Sequence, residues 1–132
     1  MSAIQDMLAM KTWAVVGANN NPEKFGYKIY KFMKQAGYDV YPVNPGVAEI
    51  DGDHCYASLK DLPVKPEAVD VVVPPRIGVD IVRECAELGI KNVWLQPGAD
   101  GPEVVKTACE LGLNVVQACV MREKCREQAE KS

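Results

Sequence analysis

The chain has 132 residues, a formal net charge of −3 and a pI near 5.2, with 48% hydrophobic and 25% charged residues. That length suits one domain, residues 1–132, with its own core, and the ordinary composition argues against disorder. The acidic balance excludes a nucleic-acid binder held by bulk electrostatics. No apolar run approaches the ~20 residues that cross a bilayer, and the N-terminus lacks the apolar core and cleavage site of a signal peptide.

Ser2 to Met10 reads as a short amphipathic helix, with Ile4, Met7 and Leu8 on one face and Ser2 as its cap. A buried strand over 12–16 follows, then a turn at Gly17, a loop carrying Pro22 and Lys24, and a helix over 24–36. Ile29, Phe32, Met33 and Ala36 supply that helix with an apolar face at three-and-four spacing. Strand, glycine turn and helix start together form a seat for phosphate. The first N–H groups of a helix point outward and its dipole favours negative charge. Lys24 stands beside that seat, whereas Lys28, Lys31 and Lys34 read as a solvated face.

Gly37 ends the helix and a strand over 39–43 begins. The same grammar of helix end, glycine and strand recurs at Leu88-Gly89-Ile90 and Leu111-Gly112-Leu113. Such repetition is the mark of a parallel sheet with crossover helices. Residues 44–68 form a looser excursion holding Pro45, Gly46, Gly52, Pro63 and Pro66, with a helical turn at 58–62. Val69 to Val73 reads as a fully buried central strand. Pro74-Pro75 stops it and opens a helix to Leu88, since proline is tolerated in a first helical turn. Its apolar positions are Ile77, Ile81, Val82, Cys85 and Leu88. A fourth strand over 92–95 leads through the loop 96–101 to a helix over 102–111, packed through Val104, Val105, Ala108 and Cys109. A fifth strand over 114–117 is followed by a polar surface helix over 122–132.

These elements predict an α/β, doubly wound, Rossmann-like domain. It has a five-stranded parallel sheet in the order 3-2-1-4-5, helices on both faces, and a ligand crevice at the carboxyl ends of the strands. The core covers about 10–121. Cys55, Cys85, Cys109, Cys119 and Cys125 give an odd count with no Cys-x-x-Cys pair, which fits a reduced, cytoplasmic setting.

The obvious ligand for such a crevice is a dinucleotide, and the residues resist it. The G-x-G-x-x-G fingerprint is absent: Asn19 stands where the second glycine would admit a pyrophosphate. Val43-Asn44-Pro45 stands where an acidic residue would hold a ribose hydroxyl. An NAD(P)-dependent oxidoreductase is the weaker alternative.

Several segments, in order, carry a resemblance. They are Val16-Gly17-Ala18 with Pro22 and Lys24 behind it, Gly37-Tyr38, Val40-Tyr41-Pro42-Val43-Asn44-Pro45, and Gly52 ahead of Tyr56-Ala57-Ser58-Leu59. Leu62-Pro63, the 69–73 strand and Val93-Trp94-Leu95-Gln96-Pro97-Gly98 continue it. Together they resemble the small CoA-binding protein family, stand-alone relatives of the CoA-binding domain of the succinyl-CoA synthetase α-subunit. The resemblance implies coenzyme A or an acyl-CoA as ligand. By that likeness Gly17, Ala18, Asn19 and Asn20 line the pyrophosphate turn, and Lys24 adds a point charge. Val43, Asn44 and Pro45 form a wall beside the adenosine. Val73, Pro74, Pro75 and Ile77 close over the nucleotide, and Gln96, Pro97 and Gly98 approach the pantetheine arm. Arg76 suits either the ribose 3′-phosphate or a solvent-facing position. The chain departs from the family at Pro74-Pro75-Arg76-Ile77-Gly78 and at Gln117-Ala118-Cys119-Val120-Met121, where many members carry Asp-Arg-Cys-Met.

No catalytic set is legible. His54, the sole histidine, lies in the excursion without an acid partner, and no metal-ligand set assembles around it. Asp100 and Glu103 read as helix-start charges. The expectation is therefore a non-enzymatic CoA or acyl-CoA binder. The alternative is a CoA-binding component acting in trans with an acyl-CoA ligase subunit. Cys119 either forms a mixed disulfide with the CoA thiol or serves as a small buried hydrophobe. No nucleic acid or membrane partner is expected. The state is monomer or homodimer, and Trp13 and Met121 serve either a dimer contact or core packing.

Overall fold

The computed structural model describes residues 3–131, so the expected Ser2 cap lies outside the described residues. The elements are α1 (Ala3–Leu8), β1 (Thr12–Val16), α2 (Phe25–Gln35), β2 (Asp39–Val43), β3 (Glu49–Ile50), β4 (Asp53–His54), β5 (Ala68–Val71), α3 (Pro75–Leu88), β6 (Asn92–Leu95), α4 (Pro102–Glu110), β7 (Asn114–Gln117) and α5 (Val120–Lys131). A single 3₁₀ turn at Leu59–Asp61 replaces the helical turn expected over 58–62.

Five strands form one parallel sheet in the order β2-β1-β5-β6-β7. Counted along the chain, the five run 2-1-3-4-5, which corrects the expected 3-2-1-4-5. The physical reason is Pro42. It pairs in register with Val15 of β1, and its carbonyl faces the other way, accepting the Tyr56 N–H at 3.0 Å. Its ring nitrogen, with no hydrogen to donate, faces that outer side too, so β2 belongs at an edge. β5 is buried at all four positions and takes the centre. The winding therefore reverses between β1 and β5, and the crevice opens there. β5 also ends two residues earlier than expected. The Val72 N–H still reaches the Val16 carbonyl at 2.8 Å, and the chain then leaves the sheet.

Alternation along the strands sends side chains into two cores. Val69, Val71, Val93 and Leu95 meet Val82 and Val104 of α3 and α4. On the other face Trp13, Val15 and Trp94 meet Met7, Ile29, Met33 and Val120 of α1, α2 and α5. Of the two readings left open for Trp13, core packing holds: it is fully buried. Its ring stands edge-on to Trp94 at 6.0 Å and to Tyr38 at 5.9 Å, a favoured aromatic geometry. Each polar tip finds a carbonyl. Trp13 Nε1 donates to Met10 (2.9 Å), Trp94 Nε1 to Ala118 (2.7 Å) and the Tyr38 hydroxyl to Leu8 (2.6 Å). Met121 is half-buried against the same core.

Three helix readings shift. The last helix starts at Val120, which is fully buried, and is docked rather than purely superficial. Lys124 Nζ lies 5.2 Å over the Tyr38 ring and 2.9 Å from Glu127. In α3 the turn facing the core is Gly78, Val79, Val82 and Cys85, so Ile77 (42% exposed) and Leu88 stand outside it. In α4, Cys109 is exposed rather than packed. The excursion after β2 also contains an unanticipated antiparallel pair, β3–β4. Two of its carboxylates are clamped to α2. Asp51 accepts from the Tyr27 hydroxyl (2.7 Å) and pairs with Lys31 (3.1 Å), and Asp53 accepts from Tyr30 (2.8 Å) and from Lys34.

Candidate functional site: two cavities meeting at the carboxyl edge of the sheet

The crevice is two cavities with one residue, Val73, in the walls of both. The first, about 460 Å³, lies on the α3 side of the sheet, between the ends of β1 and β2 and the outer face of α3. The second, about 390 Å³, lies on the other side, between the start of α2, the ends of β5 and β6 and the turn before α5. The loop from Gly17 to Phe25 spans the two: Gly17 lines the first cavity and Phe25 the second.

Local sequence explains how that loop is held. Gly17 has φ +101°, and a Cβ there would stand 3.0 Å from the Val72 carbonyl group. Gly26, the second residue of α2, would place a Cβ 2.0 Å from the Gly17 carbonyl oxygen. The helix start therefore lies directly on the turn, the role that the third glycine of a dinucleotide fingerprint performs through a shorter loop. Neither α2, α3 nor α4 has a side-chain hydrogen bond capping its N-terminus, and all three begin at this edge of the sheet. Outward N–H groups of this kind favour an anionic ligand.

The sequence-predicted residues divide between the cavities. Gly17, Val43, Asn44, Pro45, Val73 and Ile77 line the first. Val73, Pro74, Gln96, Pro97 and Gly98 line the second. Ala18, Asn19, Asn20, Pro22, Lys24, Pro75 and Arg76 line neither. Ala18 is fully buried, and its carbonyl accepts from Asn44 Nδ2 at 2.9 Å. The Asn44 oxygen takes the Gly46 N–H, also at 2.9 Å, so both ends of that amide tie loops together. Asn19 Oδ1 accepts the Asn21 N–H (2.8 Å). Asn20, Pro22, Lys24 and Arg76 face solvent. Pro75 sits in the first turn of α3 against Gly101. Asp100 accepts the Gly98 N–H (3.2 Å), shaping the loop after β6.

Sequence reasoning missed the rest of the walls. Ser58, Asp80 and Glu84 add polar groups to the first cavity. Only Glu84's spacing one turn beyond Asp80 signalled a shared face. Phe25 and Ile29 add apolar surface to the second, where Cys119, already singled out in the sequence, also stands. Phe25 is 65% exposed, an aromatic with no core to fill. Two carboxylates make the first cavity a good acceptor of hydroxyl or amino donors and a poor host for phosphate. The second cavity is apolar except for Gln96 and Cys119.

Gln96 has an unusual neighbour. Its Nε2 donates to both oxygens of Asp70, at 2.9 and 3.0 Å. Asp70 is fully buried in β5, and burial pushes its carboxyl up to about 7 against the pull of that hydrogen bond. Burial likewise pushes the Cys85 thiol up to about 12 and raises Cys55, which keeps both protonated. His54 stacks edge-on against Tyr56 at 4.5 Å, and no metal-ligating cluster occurs among the described residues. No helix in the described residues is long and apolar enough to cross a membrane.

Comparison with known proteins points to one family. A family model described as a CoA binding domain matches residues 11–124. The α subunit of an ADP-forming acetate–CoA ligase II from Pyrococcus furiosus is 33% identical over 114 residues, which covers 78% of this chain and 25% of that subunit. A hypothetical protein from Pyrococcus horikoshii OT3 superimposes with a TM-score of 0.88 and 40% identity, covering 93% of this chain and 88% of that one. An acetyl-coenzyme A synthetase from Ca. Korarchaeum cryptofilum superimposes with a TM-score of 0.67 and 26% identity, covering 83% of this chain and 26% of that one. The chain thus spans about a quarter of the length of that ligase subunit and of that synthetase.

Proposed function

The chain belongs to the CoA binding domain family, and from that premise we propose that it binds coenzyme A or an acyl-CoA across the two joined cavities. The single observation carrying this reading is their arrangement: a polar cavity and an apolar one, joined at Val73 beneath an uncapped helix start. CoA has matching parts in matching order. The adenosine fits the first cavity, where Asp80 and Glu84 accept from its hydroxyl and amino groups. The pyrophosphate lies at the seam, over the Gly17 turn and the N-terminus of α2, with Lys24 as a solvent-side counter-charge. The pantetheine arm runs into the second cavity, between Phe25, Pro74 and Gln96. The exposed Arg76 is left to the ribose 3′-phosphate, outside both cavities. The function proposed is binding without chemistry of its own.

Val73→Trp tests the reading, since an indole at the seam obstructs both cavities at once. CoA affinity should fall at least about tenfold, the loss of one well-made contact region. Thermal unfolding should change little, because Val73 is only half-buried. An unchanged dissociation constant contradicts the proposed path.

The similarity to a ligase α subunit favours a second reading, in which the bound CoA is presented to a separate acyl-CoA ligase subunit. Co-purification with such a subunit supports it; a homo-oligomer that captures none counts against it.

A further inference from the structure

Asp70 and Gln96 are the buried polar side chains of the described residues, and they are bonded to each other. Asp70 sits on β5 between Val15 of β1 and Trp94 of β6, in register with both. Among the described residues no other side chain bonds to it. Gln96 reaches it from the end of β6 with both hydrogen bonds from one nitrogen. An ionised carboxylate only accepts, so the amide nitrogen must point inward. The Gln96 Oε1 then points the other way. It has no partner among the described residues and is not a buried unpaired atom, so it opens on the second cavity that Gln96 lines. It is the one side-chain amide in that otherwise apolar wall, and sites of this kind fix a ligand with few, well-placed polar groups.

We propose that Asp70 is a positioning residue for ligand selection: its carboxylate fixes the Gln96 amide so that Oε1 faces the second cavity as an acceptor, selecting a ligand arm that carries an N–H donor. This rests on the CoA reading above, whose pantetheine arm carries two amide N–H groups. Protonating Asp70 undoes the arrangement. The acid's O–H becomes a donor, the Gln96 oxygen turns inward to accept it, and the nitrogen turns to the cavity in its place. An acceptor becomes a donor, and the amide N–H of the arm loses its partner.

The raised carboxyl of Asp70, near 7, puts that exchange within an accessible pH range. Other ionisable groups over this face are engaged elsewhere or turned outward. On α1, Asp6 is exposed. On α2, Tyr27 and Lys31 serve Asp51, Tyr30 and Lys34 serve Asp53, and Lys28 lies over the Phe25 ring. On α5, Lys124 pairs with Glu127, Glu123 pairs with Arg126, and Arg122 is exposed. Cys119 shares the cavity with Gln96.

The test is titration calorimetry of the full chain from pH 6 to pH 8 with two ligands, CoA and adenosine 3′,5′-bisphosphate, which lacks the arm. The bisphosphate's 5′-phosphate titrates at about pH 6 and the CoA pyrophosphate does not. The ratio of the two affinities is therefore read against the same ratio in Asp70→Asn, which carries that ligand difference but no titrating group at position 70. Relative to Asp70→Asn, the unaltered chain's ratio should favour CoA more at pH 8 than at pH 6. Gln96→Met should weaken CoA roughly three- to tenfold, the worth of one hydrogen bond, and leave the bisphosphate unchanged. A ratio in the unaltered chain that tracks that of Asp70→Asn at every pH overturns the proposal. So does equal CoA affinity in Gln96→Met, or a parallel loss of both ligands. Failure of the unaltered chain to bind either ligand instead removes the CoA reading itself, and the proposal with it.

Discussion

Gly26 shows how much one missing atom decides. A methyl group there would stand 2.0 Å from the Gly17 oxygen, a backbone atom with nowhere to go. Gly26→Ala should therefore destabilise the chain by at least about 2 kcal/mol in denaturant unfolding, as overpacking against rigid neighbours does. Unaltered stability would mean that the turn and helix start are not in contact. Asp70 makes the opposite case, a residue whose replacement should stabilise. Its folded carboxyl is raised to about 7 from an ordinary ~3.9. Between those values the unfolded chain releases a proton that the folded chain keeps, so stability falls as pH rises from about 4 to 7 and is level beyond. Asp70→Asn removes that fall. The variant should match the unaltered chain near pH 4 and exceed it above pH 7, by up to about 4 kcal/mol for a shift of this size. Parallel unfolding curves at all pH values would show that Asp70 keeps an ordinary pKa.

At the scale of elements, the β3–β4 hairpin is tied on by polar contacts more than by packing, though Ile50 is buried beneath it. Lys34 and the Tyr30 hydroxyl hold the Asp53 carboxyl below its usual range, and the Tyr27 hydroxyl and Lys31 do so for Asp51. Depressed carboxyls contribute stability above the ordinary carboxylate pKa and lose it as pH falls through the folded value. The Cys55 N–H, bonded to the Ala48 carbonyl at 2.9 Å, should therefore lose hydrogen-exchange protection below about pH 4, while the Val72 N–H keeps its own. Equal loss at both would make the hairpin part of the core's cooperative unit. This hairpin was not legible in the sequence, because two-residue strands leave no periodicity to read. The five sheet strands were legible, since β-branched runs bounded by helix-ending glycines mark buried parallel strands. Their order was legible too, at Pro42, whose missing donor belongs on an edge. The expectation of 3-2-1-4-5 passed over that signal. Trp13 and Asp70 were not readable as they stand. Both lie in short strands where composition gives no face, and only the paired register shows that each has a buried partner. Of the cavity walls, Gly17 and the strand-end residues follow from fold topology. Of the α3 wall only Ile77 was named, because Asp80 and Glu84 share a surface with the helix's solvent face.

At the scale of the molecule, one sheet edge gathers everything that points to a ligand. The reversal of winding between β1 and β5 opens the crevice. Three helices start there without side-chain caps, and the two cavities lie on opposite faces of the sheet, joined at Val73. An extended ligand with an anionic middle suits that path. A dinucleotide suits it less well, because no acidic residue ends β2 and the apolar second cavity offers a nicotinamide ring little to bond. The most direct measurement is titration calorimetry of the full chain with CoA and NAD in parallel. Binding of one CoA per chain, with no heat from NAD, is the expected result. Saturable NAD binding, or no response to CoA, would contradict it.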